Sequence, residues 1–297
     1  MFTLLLTLLS FAGRNTCAAV STIRLQVAGG DIHVQLPAET FPASQTDIRR
    51  WLDNGTQAVS KYLGKFPVSK VEISIEQEDD DHEIHGTTYM GHRIVMRLGE
   101  RVNAHDLQED WTLTHELFHL ALPTVGEGHE WMEEGFATYL EPIARVRLGF
   151  ITEDKFWSDM IWGLPKGLPE GGDLGLEKTH NWGRTYWGGT IFWFMSDIEI
   201  RKRTQNRKSL DDVVRAILSH GGNGSQEWPV STVIEVGDKA AGVPVLREMY
   251  ERFAMKPGTI DVNELWKSLG VGHVGQKVTY NRAAPLAGVR ASITLRK

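Results

Sequence analysis

The stretch His115-Glu116-Leu117-Phe118-His119 constrains this chain more than any other feature. Histidines four residues apart lie on one face of an α-helix, with Cβ atoms about 5–6 Å apart. Imidazoles at that spacing can each bring a nitrogen to about 2.0–2.1 Å from one Zn²⁺. The glutamate between them can then reach a water on the metal as general base. The surroundings predict the helix itself. Acidic residues between His105 and Asp110 lead in, Leu113, Leu117, Leu120 and Ala121 recur at helical spacing, and Pro123 stops the run. Phe118 and Leu122 add a second apolar edge, so this helix should be buried on most sides, where polar side chains need partners. His115 and His119 are therefore candidate zinc ligands and Glu116 the candidate base. The alternative is a pair of histidines satisfied by ordinary hydrogen bonds in a core.

A catalytic zinc site usually has three protein ligands and one open position. Downstream, Glu130 to Glu141 reads as a second helix that Trp131, Phe136 and Leu140 can pack. Within it, Glu134-Gly135-Phe136-Ala137-Thr138-Tyr139 resembles the NEGFA(S/T)Y element of gluzincin peptidases, notably the aminopeptidase N-like and glycyl-aminopeptidase-like groups. The resemblance implies that Glu134 is the third ligand. Glu133, standing where that element has Asn, is the rival. The interval from His119 to Glu134 is shorter than in aminopeptidase N-like enzymes, which implies a compact relative with a short loop from Pro123 to Glu130.

Thr185-Tyr186-Trp187-Gly188-Gly189-Thr190 and the apolar run Ile191 to Met195 are similar to the YxKG element and following helix of the same gluzincins, with Gly188 in the lysine position. Here the resemblance implies that the Tyr186 hydroxyl donates to the oxyanion. An ordinary tyrosine pKa of about 10 keeps it a neutral donor at pH 7. The alternative is a packing tyrosine beside a tryptophan-rich helix. Asp197 to Thr204 and Ser209 to Val214 also resemble the glycyl-aminopeptidase-like group, so the likeness covers residues 105–220. The stretch comparable to the GxMEN strand of aminopeptidase N-like enzymes, Gly86 to Met96, has no glutamate, which leaves aminopeptidase specificity open.

A net charge of −6, with Lys and Arg scattered, argues against a nucleic-acid partner. Residues 1–19 read as a secretory signal peptide: Phe2 to Ala12 is apolar but too short to span a bilayer, and Cys17-Ala18-Ala19 supplies small residues before Val20. A misassigned start or a tail is the alternative. Cys17 is the sole cysteine, so cleavage there would leave no disulfide or thiolate ligand. No later run reaches the length of an apolar membrane span. The expected location is secreted or periplasmic.

Ile23, Leu25 and Val27, then Ile32, Val34 and Leu36, alternate about Gly29-Gly30-Asp31 and predict a hairpin. A helix over 45–63 opened by Thr46, a strand at Val71 to Ile75 and another from Arg93 to Leu98 follow. Glu76 to Glu83 reads as a solvated hairpin loop, with Ca²⁺ binding the alternative. The stretch 86–98 is the candidate cleft strand for extended substrate. Residues 162–175, rich in Gly and Pro, read as a loop that either rims the cleft or merely connects. Short helices are expected over 243–253 and 261–269, and a strand at Ala291 to Leu295. The tryptophans read as core or cleft wall, and His129 and His180 as hydrogen-bonding residues that could assist catalysis.

Sheet first and helices afterwards is an α+β order. The resemblance specifies a thermolysin-like gluzincin catalytic domain, with an N-terminal β-rich lobe over 20–104 and a zinc-binding, helical lobe over 105–297. The expected function is a zinc-dependent peptidase acting on peptide or protein substrates. The alternatives are a non-peptidase zinc hydrolase and a catalytically silent binding protein.

Overall fold

The computed structural model describes residues 21–89, 92–275 and 277–295; the signal segment read at 1–19 lies outside them. The N-terminal part is a five-stranded sheet in the order β1-β2-β3-β5-β4. Strands β1 (Thr22–Val27) and β2 (Gly30–Gln35) form the expected hairpin. Strands β3 (Lys70–Glu78) and β5 (Arg93–Gly99) run parallel to β2 through the middle, and β4 (Ile84–Tyr89) is an antiparallel edge. Ile32, Val34, Val71, Ile73, Ile75, Ile94, Met96 and Leu98 are all buried, as the alternation requires.

Helix α1 (Gln45–Leu63) starts at Ser44, not Thr46. The Ser44 hydroxyl accepts from Asp47 N while the Asp47 carboxylate accepts from Ser44 N, a reciprocal cap that satisfies two otherwise orphaned donors. Gly55 lets α1 approach Leu113 and Leu117 of the histidine helix. The remainder is mostly helical: α2 (Ala104–Glu109), α3 (Thr112–His119), α4 (Glu130–Leu148), α5 (Glu153–Gly163), α6 (Gly189–Thr204), α7 (Leu210–Ser219), α8 (Val230–Ala241), α9 (Val245–Met249), α10 (Val262–Leu269) and α11 (Ala287–Thr294), with a hairpin β6 (Val271–Val274) and β7 (Lys277–Tyr280) before the last.

Buried charges staple the helices. Asp211 accepts from the Tyr62 hydroxyl at 2.8 Å and pairs with Arg147 at 2.9 Å, which joins α1, α4 and α7. Asp197 of α6 accepts from Tyr139 of α4 at 2.9 Å, from Arg201 at 2.9 Å and from Leu210 N at 2.8 Å. Removing one member of such a buried pair strands the other, which costs about 3–5 kcal/mol.

Five further local expectations are corrected. The helix expected from His105 to the residues before Pro123 is two helices, because the Asp110 carboxylate accepts from Thr112 N at 2.9 Å and Leu113 N at 3.1 Å and so starts a new one. The stretch 86–98 is not one strand: β4 and β5 are antiparallel neighbours, and only β4 lies at the sheet edge. The acidic segment is not a hairpin loop, since β5 sits between β3 and β4 and the segment crosses to the far edge. Ala291 to Leu295 is largely helix, not strand. Val289 and Ile293, one turn apart, are buried on one side of α11, and Arg290 donates to the terminal carbonyls of α10, Leu269 O at 3.0 Å and Gly270 O at 2.8 Å. Residues 162–175 are partly helical, with a tight turn over Leu164–Gly167.

Candidate metal centre

Helix α3 places His115 and His119 one turn apart with their Nε2 atoms 3.2 Å from each other. Helix α4 brings Glu134 Oε2 to 3.1 Å from His115 Nε2 and 3.6 Å from His119 Nε2. The close approach depends on glycine. A Cβ at Gly135 would enter the backbone of Gly189, and one at Gly189 would strike Trp131 O, so α4 and the start of α6 cross in direct backbone contact. That contact also fixes the π-helical turn Gly183–Gly188, which carries Tyr186. The Tyr186 ring stacks at 6.2 Å and 25° on the His115 ring, and Trp111 meets the same imidazole edge-on at 5.4 Å.

These three residues fit a zinc ion. Ligand atoms at the corners of a tetrahedron with bonds of about 2.05 Å lie about 3.3 Å apart. The separations of 3.1, 3.2 and 3.6 Å straddle that value. The electrostatics agree. Burial disfavours charge on His119, yet the Glu134 carboxylate outweighs it and raises the imidazole pKa to about 9. Burial likewise opposes charge on Glu134, but His115 and His119 hold it well below the usual carboxylate range. The cluster therefore favours positive charge between its members, which a dication supplies.

Glu133 turns elsewhere: its Oε1 accepts from Val125 N at 3.0 Å, bracing the loop before α4. A helix rotates adjacent residues by about 100°, so Glu133 and Glu134 cannot share one direction. Glu116 is buried. Its Oε2 accepts from the Thr88 hydroxyl at 2.7 Å, and its side chain lies against Gly86 of β4. Tyr186 is half-buried. Burial, reinforced by the charges of Glu134 and Glu116, pushes its hydroxyl up to about 12, so it stays protonated. Glu116, His119, Glu133, Glu134, Tyr186 and the β4 segment Gly86–Thr88 line one cavity of about 310 Å³.

All five residues singled out in the sequence thus converge. His129 does not join them; its Nδ1 lies 2.7 Å from the Glu177 carboxylate. His180 is exposed and does not line the cavity. Thr88 and Gly86 escaped sequence reasoning as partners of Glu116, because only strand pairing brings β4 alongside α3. Glu78, Asp80 and His85 form a second, more exposed cluster within ligating distance, where the acidic segment considered for Ca²⁺ meets the start of β4.

No protein-family model and no curated protein sequence matches the chain. Solved structures do. An aminopeptidase N family protein from Idiomarina loihiensis superposes with a TM-score of 0.66 at 13% identity, over 85% of this chain and 49% of that one. The M1 zinc metallopeptidase of Deinococcus radiodurans gives 0.52 at 13% identity, over 81% and 52%. The chain shares its fold with the M1 zinc metallopeptidases. Yeast LTA4 hydrolase in complex with bestatin gives 0.51 at 14% identity, over 81% of this chain and 40% of that one. The chain spans 40–52% of the length of these three proteins, and the shared fold is the α+β arrangement of an N-terminal sheet followed by helices.

Proposed function

We propose that this protein is a zinc-dependent peptidase, with His115, His119 and Glu134 as ligands, Glu116 as general base and Tyr186 as oxyanion donor. The observation that carries the reading is the convergence of three ligand atoms, 3.1–3.6 Å apart, beside a buried carboxylate and a protonated phenol in one cavity. The edge strand next to α3 supports a thermolysin-like gluzincin unit, whose two lobes, 20–104 and 105–297, flank the cleft.

A zinc ion held by these ligands would supply Lewis acidity, lowering the pKa of a water and polarising a carbonyl. Every other role falls to the chain. The Thr88 hydroxyl ties down Glu116 Oε2, leaving Oε1, which has no hydrogen bond among the described residues, to take the proton of the attacking water. Glu116 then delivers that proton to the departing amine. Tyr186 donates from its hydroxyl to the carbonyl oxygen as negative charge develops there. Strand β4, at the sheet edge, offers backbone groups to an extended substrate. A Deinococcus radiodurans M1 variant has been solved with a Tyr-Ser-Ala substrate, which supports a peptide as the ligand of this shared fold. The signal-like segment 1–19 supports a secreted or periplasmic site of action, testable by N-terminal sequencing of the exported protein.

The deciding experiment exposes the zinc-loaded protein to a mixed peptide library and reads cut positions by mass spectrometry. Cleavage that chelator abolishes and zinc restores is the expected result. No cleavage of any peptide by fully zinc-loaded protein would overturn the reading.

A further inference from the structure

A second cavity, of about 450 Å³, lies beside the first and shares Tyr186 with it. Its walls are mostly aromatic and aliphatic, with Trp111, Trp162, Trp182, Trp187, Phe156 and Met160 among them. Three of these indoles are open to solvent: Trp111 is 51% exposed, Trp162 63% and Trp182 58%. Large rings are ordinarily buried for their apolar area. Several left exposed around one concavity mark a surface that a ligand desolvates.

The aromatic wall continues into the candidate metal centre. Trp182 stacks on Tyr186 at 6.0 Å and 29°, and Tyr186 stacks on His115 in turn. The wall is also preformed. The Trp187 indole lies flat against Gly163, where a Cβ would overlap its ring, and meets Trp162 edge-on at 6.1 Å.

Charge in the lining is largely spent internally. Arg145 bonds Glu141 at 2.7 Å, and Lys155 bonds Asp159 at 2.6 Å. Glu109 is exposed. Thr138, one turn beyond Glu134 on α4, carries a buried hydroxyl oxygen with no hydrogen-bond partner among the described residues. An apolar chamber walled by indoles suits a planar ring.

We infer that this cavity is the subsite for an aromatic side chain of the peptide substrate, next to the scissile bond. The inference rests on the peptidase reading for the word substrate, but the cavity's chemistry stands on its own walls. Filling such a pocket discriminates strongly: each methylene in an apolar site is worth about 10-fold or more in selectivity.

Two measurements test it. In the first, alanine octapeptides carry Trp, Tyr, Leu, Arg or Asp at each position in turn, and kcat/KM is read for each. Aromatic residues at one position flanking the cut should exceed alanine at least tenfold, and Arg and Asp should not. In Trp182→Ala the aromatic-to-alanine ratio should fall below threefold. An unchanged ratio in that variant, or a preference for Arg or Asp, overturns the subsite. In the second, Ala-Trp-Ala and Ala-Ala-Ala are titrated calorimetrically into zinc-loaded Glu116→Gln protein, with and without Trp182→Ala. At least tenfold tighter binding of the tryptophan peptide, lost with Trp182, supports the subsite even if the wild type cuts nothing; in that case only the peptidase reading falls. Peptides cut without side-chain preference leave the peptidase standing and remove the subsite. Equal binding of both tripeptides, with or without cleavage, also removes it.

Discussion

Gly86→Ala tests whether β4 sets the position of the general base. A Cβ at residue 86 would stand 3.0 Å from both Cδ and Oε1 of Glu116, and closer still to its Cγ. Carbon contacts settle at about 3.5–4.0 Å. Residue 86 is held in strand register against Met96, so the carboxylate must retreat, by about 1 Å. A misplacement of that size costs about 10²-fold in rate, and general-base catalysis as a whole is worth about 10²–10⁴-fold. We expect kcat to fall about 10²-fold with zinc content unchanged, together with an overpacking cost of about 1–3 kcal/mol in stability. A double-mutant cycle separates the contact from a general disturbance. In a Glu116→Ala background the obstruction is gone, so Gly86→Ala should then leave thermal stability nearly unchanged. Equal destabilisation in both backgrounds, or a kcat within threefold of wild type at full zinc occupancy, would refute the reasoning.

Four further outcomes are expected. His119→Ala should purify with little zinc by elemental analysis, since two ligands hold the metal poorly; full occupancy would remove His119 from the ligand set. Glu134→Ala should lose more zinc affinity than Glu133→Ala, whose carboxylate braces Val125 N at 3.0 Å; equal or reversed affinities would make Glu133 the ligand. Tyr186→Phe should keep fold and zinc, lower kcat by about 10²–10³ and move KM little, as loss of one oxyanion donor does; a kcat within threefold assigns the tyrosine to packing. Burial, against the opposing pull of Arg145, raises the Glu141 carboxyl to about 7. The folded chain therefore holds this proton more tightly than the unfolded one, so the group's stabilising share is complete at low pH and is lost as pH rises toward 7. The melting temperature of Glu141→Gln relative to wild type should accordingly climb between about pH 4.5 and 7.5; a constant difference would contradict the shift.

Much of the candidate site is legible in the sequence because its chemistry is local. His115 and His119 share a helix face at four-residue spacing, whatever surrounds them. Glu134-Gly135 and Gly188-Gly189 carry their meaning in adjacent letters, and the structure supplies the reason for two of these glycines: Gly135 and Gly189 let α4 and α6 touch at the backbone. The strands β1, β2, β3 and β5 were likewise visible in two-residue alternation. The helical nature of α11 was not, because its β-branched and small residues suit a strand locally, while a four-residue spacing of buried side chains against the fold decides for helix.

What the sequence could not express is pairing across distance. Thr88 and Glu116 stand 28 residues apart and meet only because β5 inserts between β3 and β4, pushing β4 to the sheet edge beside α3. The aromatic cavity gathers Trp111, Trp162 and the Trp182–Trp187 pair from three separate segments, none of which announces the others. Asp110 breaks the helix before the histidines by capping two amides, while its Oδ2 also accepts from Trp51 of α1 at 2.7 Å. Helical spacing is fixed by backbone geometry over a few residues, so the ligands and the base could be read directly from the letters. The groups that hold the base and shape the cleft are chosen by strand order and helix packing, free-energy terms that exist only once the whole chain has closed on itself.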